Sequence, residues 1–221
     1  MIPLRDRVSV ILDACAGKRV LHLGCTNSPY TSESLRAGSL LHGRLSQVAS
    51  TLHGFDNDVE SLELMKQAGY GNLHVADLER LEESGFRDEV DIIVAGEIIE
   101  HLSNPGRFLE GVKTLMGPET VLLITTINAY SGMRFVQYAL RGRGGVSEPV
   151  HPDHVAYYSY TTLKLLISRA GLILEDFMFY DIGPEHKPYL PIHYWWLNAL
   201  SVRISKQTCD GVIAFCKVGG R

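Results

Sequence analysis

Residues 90 to 105, Val-Asp-Ile-Ile-Val-Ala-Gly-Glu-Ile-Ile-Glu-His-Leu-Ser-Asn-Pro, run an apolar strand directly into two carboxylates and a histidine. A carboxylate can hold a cation or a proton, and an imidazole can accept a proton near neutral pH. Glu97, Glu100 and His101 therefore form a set able to bind charge or do acid–base work, delivered at a strand end where ligands of open α/β sheets lie. A second set, His151, Asp153 and His154, sits in a proline-bearing stretch. His154, His151 and His101 are the candidate general bases. The plainer uses are that Glu97 and Glu100 open a helix at its positive end and that His101 braces the turn. His151, Asp153 and His154 could ligate a divalent cation, but they supply too few ligands, and no metal site is expected.

The elements that must position these residues follow from the apolar pattern. Lys18 to Cys25 reads as a strand ending in glycine, while Leu52 to Asp56 and Asn72 to Asp77 read as strands ending in a carboxylate. Between them Leu41, Leu45, Val48, Ala49 and Leu52 recur at helical spacing. Asp58 can cap a helix carrying Val59, Leu62, Met65 and Ala68, which Gly69 stops. Thr120 to Thr126 is a fifth strand, and an aromatic-rich helix follows it as far as Arg143. Thr161 to Ala170 is amphipathic, and Leu172 to Tyr180 and Gly211 to Val218 are the last two strands. Strands alternating with helices imply an α/β fold with a parallel sheet and right-handed crossovers.

In this order the pieces resemble the class I S-adenosylmethionine-dependent methyltransferases, in particular the small single-domain group whose fourth strand ends in Glu-x-x-Glu-His-Leu. The matched residues are Leu21 to Cys25, Asp56, Ala76-Asp77-Leu78, Glu97 to Leu102, and His151 to Tyr160. The resemblance covers residues 18 to 181. It implies a single domain over 1–221 with a Rossmann-like, seven-stranded, mostly parallel sheet, helices on both faces and an antiparallel last strand. It also implies S-adenosylmethionine as cofactor. Gly24, Cys25 and Thr26 would lie under its methionine portion, Asp56 with its neighbour Asn57 would take the ribose hydroxyls, Asp77 and Leu78 would border the adenine, and Gly96 and Glu97 would sit beside the sulfonium.

The first loop departs from the family's acidic-x-Gly-x-Gly-x-Gly, since His22-Leu-Gly-Cys-Thr-Asn-Ser28 keeps one glycine and lacks the acid. Asn27 tolerates left-handed geometry, so the turn can survive. His22 reads as a packed strand-end histidine. Gly24 and Asp56 are also farther apart than the roughly 20 residues of dinucleotide folds. The added length, Pro29 to Arg44, is expected either to cover the site as a lid over 29–44 or to be a surface extension; residues 128–160 are expected to face the acceptor.

The Thr-Asn-Ser-Pro-Tyr turn, the long first crossover, Glu-His-Leu-Ser-Asn-Pro and His-Pro-Asp-His also resemble methyltransferases of bacterial glycan and cell-envelope synthesis. That implies O-methylation of a sugar or glycan hydroxyl. A small natural product or quinone-like phenol is an alternative acceptor. A different class is a binding or scaffold protein that kept the fold and lost the reaction. A nicotinamide dehydrogenase is disfavoured, because the chain lacks the Gly-x-Gly-x-x-Gly turn.

Composition narrows the classes further. The chain has 221 residues, 45% of them hydrophobic, which suffices for one domain with its own core. A net charge of -4 and a pI near 6.1 supply no basic field for nucleic acid. Arg134, Arg141 and Arg143 form the one local basic cluster, suited to an anionic acceptor or to a solvated helix end. Cys15, Cys25, Cys209 and Cys216 have neither disulfide nor zinc spacing. The start of the chain has no apolar signal core and no segment is long enough to span a membrane, so a cytoplasmic location is expected. Pro188 to Leu200 is dense in aromatics, suited to core packing, to a subunit contact in a homo-oligomer, or to peripheral membrane contact.

Overall fold

The structure, a computed structural model, describes residues 4–141, 153–181 and 192–219. In chain order its elements are β1 (Leu4–Arg5), α1 (Arg7–Cys15), β2 (Arg19–Leu23), α2 (Thr31–Ala37), α3 (Leu41–Leu45), β3 (Thr51–Asp56), α4 (Val59–Gln67), β4 (Leu73–Val75), β5 (Ile92–Gly96), α5 (Pro105–Leu115), β6 (Val121–Ile127), α6 (Gly132–Arg141), α7 (Tyr160–Arg169), β7 (Leu172–Tyr180), α8 (Ile192–Ile204) and β8 (Gly211–Val218).

The strands form one sheet in the order β1-β7-β8-β6-β5-β2-β3-β4. All pairings are parallel except the two made by β8, which runs antiparallel to β6 and to β7. The expected seven strands are therefore eight. The extra one, β1, pairs Leu4 with Phe179 and Arg5 with Tyr180 at the sheet edge. Two exposed residues carry no periodicity, so nothing in the sequence announces it. Helix α1 is a second element that the sequence pattern does not assign; Asp6 caps it by accepting from the Ser9 amide at 2.8 Å.

Both faces of the sheet are covered, which is why its central strands are continuous apolar runs rather than alternating ones. Ile93 of β5 and Leu21 and Leu23 of β2 point into a core with Phe108 of α5 and Leu163 of α7. Their strand neighbours Ile92, Val94 and Val20 point the other way, against Ile11 of α1 and Leu45 of α3. The helix expected to run from Leu41 to Leu52 ends at Leu45, where the Ser46 hydroxyl donates to the Gly43 carbonyl at 2.8 Å. Asp58 caps α4 through the Ser61 amide, as its position predicts.

Candidate functional site

Parallel β2, β3 and β5 bring Gly24, Asp56 and Glu97 to the same, carboxyl end of the sheet. Gly24 turns the chain at φ +69°, and a Cβ there would come within 2.9 Å of Ile98 Cδ1. Only glycine meets both demands. The amides of Gly24 and Cys25 donate to the Phe55 carbonyl at 2.9 and 3.1 Å. Cys25 itself turns inward against Leu40, Leu62 and Met65, and burial holds its thiol protonated, so it offers a ligand only its backbone.

Asp56 is buried, and its carboxylate organises the turn. Oδ2 accepts from the Thr26 amide at 2.9 Å and from the Thr26 hydroxyl at 2.8 Å; Oδ1 accepts from the Asp58 amide at 3.0 Å. One acceptor position remains on Oδ1. A two-oxygen grip on a ribose diol, as expected from sequence, would thus require Thr26 to give up Oδ2. Asn57 is exposed beside it. Asp77 is exposed and accepts from the Glu79 amide at 2.9 Å, capping a short helical turn over Leu78–Glu83. Leu78 belongs to the core, so of the pair expected near the adenine only Asp77 presents a side chain.

Glu97 leaves β5 in the left-handed region, at φ +56°. This is an unusual conformation for a residue with a side chain and is held by its partners. Its amide donates to the Thr125 carbonyl at 2.9 Å, while its Oε1 accepts from Tyr180 at 2.6 Å and from the Thr125 hydroxyl at 3.2 Å. Burial and the charge of Glu97 hold the Tyr180 phenol well above its ordinary pKa, which keeps it a donor. The Arg7 guanidinium lies 5.9 Å from the centre of the Tyr180 ring. A Cβ on Gly96 would meet that guanidinium and Leu41. Arg7, Thr125 and Tyr180 escape a reading of the sequence because they come from elements distant in the chain, with no shared motif.

Glu100 is fully buried. Its Oε2 accepts from the Thr126 hydroxyl at 2.9 Å, and its Oε1 has no hydrogen-bond partner. Burial, with the nearby Glu97 charge second, pushes its pKa up to about 8. Its carbonyl accepts from the Val155 amide at 2.9 Å, tying the segment around His154 to the end of β5. The rings of His101 and His154 meet edge to face with centroids 4.6 Å apart. Glu100, His101 and His154 are, among the described residues, a set whose ligand-type atoms all lie within 4.8 Å of one another. His151 lies outside the described residues, and Asp153 is exposed.

Three other features of the sequence are placed as follows. His22 is packed, stacked on His42 with the two Nδ1 atoms 3.3 Å apart; burial and the pair's mutual repulsion drive it well below its ordinary pKa and keep it neutral. Arg134, of the basic cluster expected from sequence, pairs with buried Asp210, Nε to Oδ1 at 3.0 Å; Arg143 lies outside the described residues. The segment 29–44 is built around α2 and α3. Asn27 Nδ2 donates to Ser34 Oγ at 2.7 Å, Thr31 Oγ1 to Ser61 Oγ at 2.9 Å, and Leu40 is buried. These contacts attach α2 to the turn and to α4.

A sequence model of the methyltransferase domain family matches residues 3–176. A protein named ubiquinone biosynthesis O-methyltransferase from Haemophilus ducreyi is 28% identical over 135 residues, covering 57% of this chain and 52% of its own length. A Bradyrhizobium protein of the same name is 22% identical over 184 residues, covering 78% and 68%. The chain thus spans about half the length of the first of these curated relatives. Among solved structures, an S-adenosylmethionine-dependent methyltransferase from Archaeoglobus fulgidus superposes with a TM-score of 0.59 at 15% identity, over 96% of this chain and 91% of that one. Magnesium protoporphyrin IX methyltransferase from Synechocystis, solved with bound S-adenosylhomocysteine, also gives 0.59, at 13% identity over 96% and 82%. These likenesses agree with the sheet order, in which the antiparallel β8 lies inside an otherwise parallel sheet, and the family match spans most of the chain: it belongs to the methyltransferase domain family and has the class I, S-adenosylmethionine-dependent fold.

Proposed function

We propose that this chain methylates a hydroxyl oxygen using S-adenosylmethionine, and that the hydroxyl is phenolic. The observation that carries this reading is the meeting, at one end of the sheet, of a glycine turn locked to Asp56 with the polar cluster of Glu97, Glu100, His101 and His154. The donor set suits the cofactor: Asp56 Oδ1 keeps one free acceptor position for a ribose hydroxyl, exposed Asp77 can accept from an exocyclic amine, and Gly24 to Thr26 present backbone to the methionine end. When bound, the cofactor supplies an electrophilic methyl group on a positively charged sulfur. Glu97, next to Gly96, would set a carboxylate near that charge, and α2, inside the 29–44 segment, is tied to the turn through Asn27 and Ser34.

The proton on the acceptor must leave as the methyl group arrives. His154 is the base we favour, because the Val155–Glu100 backbone bond holds it against His101 at the end of β5. His151, in the same 128–160 segment, is the other candidate. The name shared by the curated relatives supports a phenolic hydroxyl of the kind found in quinone precursors; the sugar hydroxyl expected from the sequence has no counterpart in those names. Calorimetric titration with S-adenosylhomocysteine, followed by methyl transfer from labelled donor to catechols and to sugars, tests the reading. Micromolar binding with turnover on catechols is expected; binding with transfer only to sugars would replace the acceptor, and no binding would overturn the activity.

A second reading rests on the partnerless Glu100 Oε1. Glu100, His101 and His154 could hold a divalent cation, in which case Glu100 must give up its proton on binding. Titration with manganese, with and without Glu100→Gln, separates this from proton transfer alone.

A further inference from the structure

The turn of residues 98–104, which carries Glu100 and His101, is held at both ends. At its start Ile98 lies against the Gly24 turn, so close that a Cβ on Gly24 would come within 2.9 Å of its Cδ1. At its far end the anchor comes from another part of the chain. Glu79 Oε1 accepts from the Ser103 amide at 2.6 Å and from the Asn104 amide at 3.0 Å, and its Oε2 accepts from Asn104 Nδ2 at 3.0 Å. These bonds, that from the Asn104 side chain foremost, hold the Glu79 carboxyl below its ordinary pKa. Asn104 occupies the N-cap of α5 but makes no side-chain cap bond, so the carboxylate at this positive helix end is supplied by Glu79.

The Glu79 amide, in turn, donates to Asp77 Oδ1 at 2.9 Å. One residue thus joins the side chain offered to the adenine, through its backbone, to the turn carrying His101, through its carboxylate. The His101 ring stands 4.6 Å from that of His154, so the link extends to both histidines. The joint is well supported: Leu81, two residues on, is buried, and a Cβ on Gly111 of α5 would come within 3.1 Å of it. A separate contact between the same elements, Arg107 Nη2 to Glu82 Oε1 at 3.1 Å, is exposed and leaves the three Glu79 bonds untouched. Methyl transfer demands that donor, acceptor and base be aligned, and a displacement of about 1 Å imposed from outside the reacting groups can cost about 100-fold in rate.

We infer that Glu79 is a positioning residue for methyl transfer: it fixes the 98–104 turn, and with it His101 and His154, relative to the bound adenosine. This inference rests on the methyl-transfer reading. The test uses the full chain, with S-adenosylhomocysteine affinity read by calorimetry and turnover read with labelled S-adenosylmethionine and catechol, or glucose where the parent prefers it. Glu79→Ala should lower kcat by about 10- to 100-fold and keep the S-adenosylhomocysteine Kd within about threefold of the parent. Glu79→Gln retains Oε1 as acceptor for the two amides and should recover most of the loss. Arg107→Ala removes only the exposed contact to Glu82 and should match the parent. Circular dichroism checks folding; if Glu79→Ala does not fold, Glu79→Asp, which keeps the charge and withdraws it by one methylene, takes its place with the same expected loss. An unchanged kcat, an equal loss of kcat and cofactor affinity, or a loss as large in Arg107→Ala would each overturn the proposal alone. A parent chain that binds S-adenosylhomocysteine and methylates neither acceptor would overturn the methyl-transfer reading, and the positioning role with it.

Discussion

The phenol of Tyr180, at the end of β7, donates to the Glu97 carboxylate, at the end of β5, across 2.6 Å. Two strands that are not neighbours in the sheet are thereby fastened at the site, and a glutamate in the left-handed region keeps its place. Tyr180→Phe should cost about 1 to 2 kcal/mol in chemical denaturation, the scale of losing a bond to a charged acceptor. Gly211→Ala should do more damage, because Gly211 is the register partner of Tyr180 and a Cβ there falls inside the Tyr180 ring. A Gly211→Ala protein as stable as the parent would show that the ring can move aside.

Asp56 has two tasks that substitution can separate. Asp56→Ala should weaken S-adenosylhomocysteine binding by about 10- to 100-fold in calorimetry, equivalent to about 1 to 3 kcal/mol. Thr26→Val removes one of the two bonds to Oδ2 and leaves the carboxylate, so it should weaken binding much less. Equal losses in the two variants would mean that Asp56 only shapes the turn.

For proton transfer, His154→Ala should lower turnover by about two to four orders of magnitude with little change in cofactor affinity, since a general base acts on the transition state. His101→Ala should be milder if that ring only braces its neighbour. Single-turnover rates measured beside binding constants make the comparison; full activity in His154→Ala, His101→Ala and His151→Ala would exclude a histidine base.

Glu100 should leave a mark on stability against pH. Its folded pKa of about 8 lies above its ordinary value of 4.5, so the folded chain retains a proton that the unfolded chain releases. Its contribution is complete below about pH 4.5 and is lost as pH rises toward 8. Glu100→Gln, neutral at every pH, should flatten that decline and gain on the parent between about pH 5 and 8 in urea denaturation. Parallel pH profiles for the two proteins would place the proton elsewhere.

The sheet was legible in the sequence because burial on both faces writes its strands as apolar runs; Leu172 to Tyr180 and Gly211 to Val218 are bounded as expected. Asp56, Glu97 and the two histidines of the cluster were legible because each stands next to such a run or in a motif of its own. Tyr180 and Arg7 were not, since their positions depend on which strand ends meet, and β1 was too short to carry a pattern. The inward turn of Cys25 and Leu78 was equally hidden: a strand-end residue names a place in the chain but not the direction of its side chain.

Strand β8 comes after every other strand in the chain yet lies between β6 and β7. During synthesis, β7 and the β1 edge paired with it have no strand pairing with the remaining five strands until Gly211–Val218 is made. From the completion of β7 at Tyr180 until β8 emerges, the growing chain therefore carries two open strand edges, those of β6 and β7, which are sites for wrong pairing.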